Sequence, residues 1–98
     1  MTTKRDEYVE RLKKQLDGWN ADMKRWEARA REAQAEMKKR YEQDLERLRA
    51  QREKAMYQLQ LLESASSTAW SDLSRGADEA WDRMRDSIEK ARTHFEKK

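Results

Sequence analysis

From Leu48 to Phe95 the apolar residues of this chain recur every eleven positions. Leu48, Leu59, Trp70 and Trp81 form one ladder, Leu62, Leu73, Met84 and Phe95 a second, and Ala55, Ser66, Ala77 and Ile88 a third. The repeat is plainest where AWSDLSRGADE, residues 69–79, is followed by AWDRMRDSIEK, residues 80–90. Eleven residues complete three turns at about 3.67 residues per turn, so the ladders lie on one side of a straight or slightly right-handed helix. Upstream the period is different. Val9, Leu12, Leu16, Trp19, Met23, Trp26, Ala30, Ala33 and Met37 are separated alternately by three and four residues. That is a heptad seam, the pattern of a left-handed coiled coil. After Met37 the heptad would place Arg40 in the seam, but the apolar residues are Tyr41, Leu45 and Leu48. Four-residue steps of this kind are a stutter, which converts heptads into elevens within one helix.

Composition agrees with helix throughout. The 98 residues hold no proline and two glycines, Gly18 and Gly76, whereas turns draw heavily on both residue types. Charged residues make up 44%, against roughly 25% in an ordinary globular domain. Such charge density can signal disorder, but here the apolar residues are spaced and not scattered. Outer positions carry acid-before-base pairs four apart: Glu7–Arg11, Glu10–Lys14, Glu27–Arg31, Glu36–Arg40 and Asp86–Lys90. Each is expected to add about 0.2–0.5 kcal/mol of helix stability. Gly18, beside the seam, lowers helix propensity by about 1 kcal/mol without ending the periodicity.

Helix boundaries follow from capping chemistry. Thr3, with Asp6 three residues on, has the spacing of a capping box and starts the first helix. Residues 64–68, SASST, are the expected break, because serine and threonine favour caps over helix interiors. Thr68 or Ser71 is the expected cap beyond it. The fold expected is therefore all-α and elongated: one long helix over 3–63, a turn at 64–68, and a second helix over 69–97. Folded as a hairpin, the second helix would lie against residues 35–62. One continuous helix is the alternative, since the elevenfold ladders cross 64–68 without slipping.

Several classes of function are set aside by the residues. The formal net charge of +3 comes from interleaved signs: residues 1–63 hold 16 basic and 13 acidic side chains, and residues 64–98 seven of each. Nucleic-acid binders gather positive charge into a patch, so no specific nucleic acid is expected. No cysteine is present, which excludes disulfides and thiolate metal sites. No apolar run approaches the roughly 18 residues of a membrane span, and the opening MTTKRDEYVE lacks the apolar core of a leader. A cytoplasmic location is the resulting expectation. His94, the single histidine, has Ala91 and Lys90 where a bridged-metal helix would place a glutamate. It reads as a surface residue near a helix C-terminus, and no metal or other cofactor is expected. None of the serines or carboxylates stands in a nucleophile-elbow, P-loop or dinucleotide motif, so the chain is not expected to be an enzyme.

The four tryptophans, Trp19, Trp26, Trp70 and Trp81, all fall on the apolar seams. They read as packing residues, since indole supplies a large apolar face. A helix this long would leave that stripe in water, and a hairpin would leave Trp19 and Trp26 beyond the reach of the second helix. Large apolar side chains each favour burial by roughly 1.5–3 kcal/mol, so a homodimer or higher bundle is expected. The packing and oligomer seam expected is Val9, Leu12, Leu16, Trp19, Met23, Trp26, Met37, Leu45, Leu48, Leu59, Leu62, Trp70, Leu73, Trp81, Met84, Ile88 and Phe95.

The opening MTTKRDEYVERLKKQLDGWNADMKRWEARA, the central YEQDLERLRAQREKA and the closing AWSDLSRGADEAWDRM together resemble a family of small bacterial coiled-coil domain-containing proteins. The resemblance spans nearly the whole chain, on motifs of low specificity that any charged helical rod shares in part. Some members carry a stress-response label. The resemblance implies a helical bacterial protein with no catalytic residues to carry over. The expected function is that of a non-enzymatic, self-associating coiled-coil protein with a structural or protein-interaction role, with a further protein partner and a link to stress. The alternative is an amphipathic helix that works at a lipid surface or as a protectant through residues 69–95, where Trp70, Leu73, Trp81, Met84, Ile88 and Phe95 share a face.

Overall fold

The computed structural model describes residues 3–96 and is all-α. Three helices of 29 residues each follow one another: α1 (Lys4–Glu32), α2 (Ala35–Glu63) and α3 (Ser67–Phe95). They run up, down and up, so α1 and α3 are parallel. The body measures 51 × 22 × 18 Å, close to the ~44 Å expected of one 29-residue helix. Its radius of gyration is 15.6 Å, against about 12.6 Å for a compact chain of this length. An elongated bundle replaces the two-helix hairpin and the continuous rod that the periodicity suggested.

The turn between α2 and α3 has the chemistry that its composition announced. The Ser64 hydroxyl and backbone N–H both donate to the Gln60 carbonyl, at 3.1 and 3.3 Å. Ser66 is the N-cap of α3 and accepts from the Ala69 N–H at 3.3 Å. Capping therefore falls on Ser66, two residues before the expected Thr68. An arginine from α1 closes the same end: the Arg5 guanidinium donates to the carbonyls of Leu62, at 3.1 Å, and Ala65. Cationic groups suit a helix C-terminus, where the last carbonyls lack intrahelical donors.

The turn between α1 and α2 is the main correction to the expected long helix. Glu32 ends α1, and Ala33 and Gln34 are both extended, with φ/ψ of −75/153 and −68/159. Neither glycine nor proline is present, and Gln34 makes no side-chain capping bond. Local propensity favours helix across these residues. What overrides it is packing. Folding α1 back buries Leu12, Leu16, Trp19, Met23 and Trp26. At roughly 1.5–3 kcal/mol each, that is about 7–15 kcal/mol, an upper figure that still exceeds the few kcal/mol of helix lost at two residues. The apparent stutter at Met37–Tyr41 is thus the phase change between two helices. At the start of α1, Thr3 and Asp6 form the full capping box, and Gly18 is absorbed within the helix.

Helix spacing follows side-chain size. The α2–α3 pair makes the closest backbone approach, with Ala55 and Ala77 fully buried and Gly76 against Gln58. The parallel pair α1–α3 stands further apart, and aromatic rings fill the gap.

Candidate functional site

The most distinctive feature of the molecule is the aromatic seam between α1 and α3. It is built from residues about 62–70 apart in sequence, the offset that two intervening turns and one helix impose. Near the α2–α3 turn, Tyr8 meets Trp70 edge-on at 5.7 Å, and the Arg5 guanidinium lies 4.5 Å from the Trp70 ring. At mid-height Trp19 and Trp81 are tilted against each other at 6.3 Å. Towards the far end Trp26 stacks on Phe95 at 5.2 Å, and Tyr41 of α2 stacks on the same phenyl ring at 4.3 Å.

The polar atoms that the seam buries have partners. The buried Trp81 indole donates to the Leu12 carbonyl at 3.2 Å, using an acceptor of α1 itself. Trp26 Nε1 donates to Glu96 at 3.3 Å. The Tyr8 hydroxyl lies against the Ser74 carbonyl, at 3.1 Å, and the Asp78 carboxylate. Burial first, and then the Asp78 hydrogen bond and charge, push the Tyr8 phenol well above its ordinary range. Among the described residues no buried side-chain nitrogen or oxygen is without a partner, as a well-specified core requires.

Charges cover the outside of the seam. Arg92 bridges Asp22 at 2.9 Å and Glu96 at 3.1 Å, and its guanidinium lies 5.7 Å from the Trp26 ring. Arg25 reaches the same two carboxylates, at 2.5 and 3.6 Å. Between helices, Lys13 meets Glu63 at 3.7 Å and Arg49 meets Glu27 at 3.8 Å. The intrahelical pairs expected from sequence are not among these contacts. Glu27 pairs with Arg49 of α2 and not with Arg31. Exposed pairs contribute little, at most about 1 kcal/mol each, so these bridges fix register more than they stabilise.

The expected seam residues are placed as follows. Leu12, Leu16, Trp19, Met23, Trp26, Leu45, Leu48, Leu59, Leu62, Trp81, Met84, Ile88 and Phe95 are buried in one core within a single chain. Val9, Trp70 and Leu73 are partly buried against it. Met37 is 40% exposed, because the heptad it seemed to continue ends with α1. Trp19 and Trp26, expected to lack a partner within the chain, pack on α3. Arg5, Tyr8 and Ala91 belong to the packing and were not singled out by periodicity. Tyr8 sits one residue from the heptad position Val9, and Ala91 precedes Arg92, the residue eleven beyond Trp81.

One polar cleft of about 410 Å³ opens between the start of α2 and the end of α3. Met37, Arg40, Tyr41, Asp44, Arg47 and His94 line it. His94 Nδ1 lies 2.7 Å from the Asp44 carboxylate, a partner 50 residues away that no local motif could reveal. The Thr93 hydroxyl, on the same cleft, donates to the Lys90 carbonyl at 2.6 Å. Among the described residues no group of three or more His, Asp or Glu side chains is placed to hold a metal ion. Nor is any helix among them long and apolar enough to cross a membrane.

Compared with protein-family models, with curated proteins and with solved structures, the chain shows no significant match. The likeness to small bacterial coiled-coil proteins therefore rests on the three sequence segments alone.

Proposed function

We propose that this is a non-enzymatic helical protein with a structural or protein-interaction role, and that its first partner is a second copy of itself. One observation carries the reading. The three large apolar side chains left exposed among the described residues, Met37, Met56 and Tyr57, all lie on α2. Tyr57 is 59% exposed. Tyrosine and methionine are enriched where protein surfaces meet. α2 is also the helix that joins both turns, so contacts made on it bear on the whole bundle. Sedimentation equilibrium over a range of micromolar concentrations tests the proposal. A mass that rises from 11.9 kDa towards twice that value supports it, and a mass fixed at 11.9 kDa overturns it.

The lipid-surface alternative through residues 69–95 faces a physical obstacle. Of the face that lipid would need, Trp81, Met84, Ile88 and Phe95 are at most 2% exposed, and Trp70 and Leu73 are partly buried against the same core. Lipid would have to draw α3 away from α1 and α2, exchanging one apolar environment for another. Mixed charge on the outer surface gives anionic membranes little to reward. Trp emission and helicity followed during addition of anionic and zwitterionic vesicles separate the two readings. No change favours association between proteins, and a blue shift lost in Trp70→Ser with Trp81→Ser favours lipid.

A further inference from the structure

Ala33 and Gln34 connect α1 to α2 with nothing that forces a turn. Both residues are good helix formers in an extended conformation, the cap has no side-chain bond, and no described residue has a positive φ. The one backbone bond that Ala33 donates, to the Ala30 carbonyl, is long at 3.4 Å. Meanwhile Trp26, Ala30, Ala33 and Met37 continue the heptad without a slip. The segment 29–38, RAREAQAEMK, therefore satisfies two structures, a two-residue turn or an unbroken helix. The turn is held by the docking of α1 on α3 and not by its own chemistry.

We propose that this connection is a hinge through which two copies of the chain exchange α1. In the exchanged dimer residues 4–63 form one helix, and α1 of each copy packs on α2 and α3 of the other. The contacts that α1 makes in the aromatic seam are kept and merely become intermolecular, while Tyr41 on Phe95 stays within one copy, so no new surface is required. Two connections of two residues become helix, which supplies intrahelical partners to the end groups of α1 and α2. Short hinge loops invite such exchange. Where the two straightened helices cross, Ala30 and Ala33 are small enough for close approach. Met37, exposed in the closed chain, lies on the same stripe and is covered there. The inference rests on the self-association reading and gives it a geometry.

Two substitutions and one cross-link test it. Proline fits position 34 in the closed chain, because φ is −68 there and the preceding Ala33 is extended. In an unbroken helix it clashes with the preceding turn, once in each hinge. Gln34→Pro should therefore leave the monomer folded, by helicity and Trp emission, and weaken the dimer on the order of 10⁴-fold. Gln34→Ala, which keeps every option open, should dimerise at least as well as the parent. In parallel, Lys13→Cys with Glu63→Cys is refolded from urea at high chain concentration, and the dimer is isolated and treated with a short bis-maleimide. These two positions meet across α1 and α2. Exchange predicts cross-linked species of twice 11.9 kDa on a denaturing gel, from the dimer and not from the monomer. A dimer whose chains cross-link internally, or that persists undiminished in Gln34→Pro, overturns the exchange while leaving self-association intact. Absence of any dimer overturns both.

Discussion

Trp26 and Met37 are the same kind of position in the heptad read from sequence, and the structure separates them completely. Trp26 is 1% exposed, is stacked on Phe95 at 5.2 Å and donates to Glu96. Met37 is 40% exposed at the start of α2. Replacing a buried aromatic residue by alanine costs about 3–5 kcal/mol, from lost transfer energy and the cavity left behind. A stacked pair adds about 0.5–1.5 kcal/mol beyond area, part of which is already in that figure. Trp26→Ala should thus lose about 4 kcal/mol. A domain of this size has about 5–15 kcal/mol in all, so the variant should be near the edge of folding. Met37→Ala should change stability by less than about 0.5 kcal/mol, as surface substitutions do. Urea unfolding of dilute protein, followed by helicity, reads both. With a slope near 2 kcal/mol per molar, Trp26→Ala should move the midpoint by about 2 M and Met37→Ala by about 0.25 M or less. Comparable losses in the two variants would refute the reasoning, because they would place both residues in one unbroken seam.

Three further outcomes are expected. Trp81→Phe keeps most of the packing but removes the donor to the Leu12 carbonyl, and should cost about 1–2 kcal/mol in the same urea assay. At Gly18 an added Cβ meets nothing within 4 Å, so Gly18→Ala should stabilise by about 0.8–1 kcal/mol and raise the melting temperature by about 4–8 °C. The Tyr8 phenol titrates higher in the folded chain than its ordinary 10.0, through burial and then Asp78. Its contribution is therefore complete below pH 10 and lost as the pH climbs above it. Tyr8→Phe should flatten that alkaline decline when stability is compared between pH 9 and 11, roughly the span that brackets an ordinary tyrosine.

Periodicity identified the core and misjudged the topology, and the reason is physical. Side-chain spacing reports which face of a helix is buried, so Leu12, Trp19, Leu48, Trp81 and Phe95 were legible as core residues. It does not report what buries them. The turn at Ser64–Ser66 was legible because serine caps leave a chemical signature. The turn at Ala33–Gln34 was not, because it is made by alanine and glutamine under the pull of α1 packing on α3. Only the stutter at Tyr41 hinted at it, and a stutter has a second meaning within coiled coils. The elevenfold ladders cross the 64–66 turn in sequence only: Ser66, on the third ladder, is the exposed cap of α3 and not a core residue. Long-range pairs such as His94 with Asp44 and Arg5 with the end of α2 depend on the register of antiparallel helices, which no local pattern encodes.

The central claim is that α1 folds back within the chain. Spin labels at Lys14 and Gln60, both exposed, measure this most directly in the monomeric fraction. Neighbouring Lys13 and Glu63 are 3.7 Å apart, so the labels should lie within about 30 Å, adjacent helix axes being 8–10 Å apart. A continuous helix from α1 into α2 would separate them by about 69 Å. A distance in the shorter range is the predicted result, and a monomer distance beyond about 60 Å would contradict the bundle.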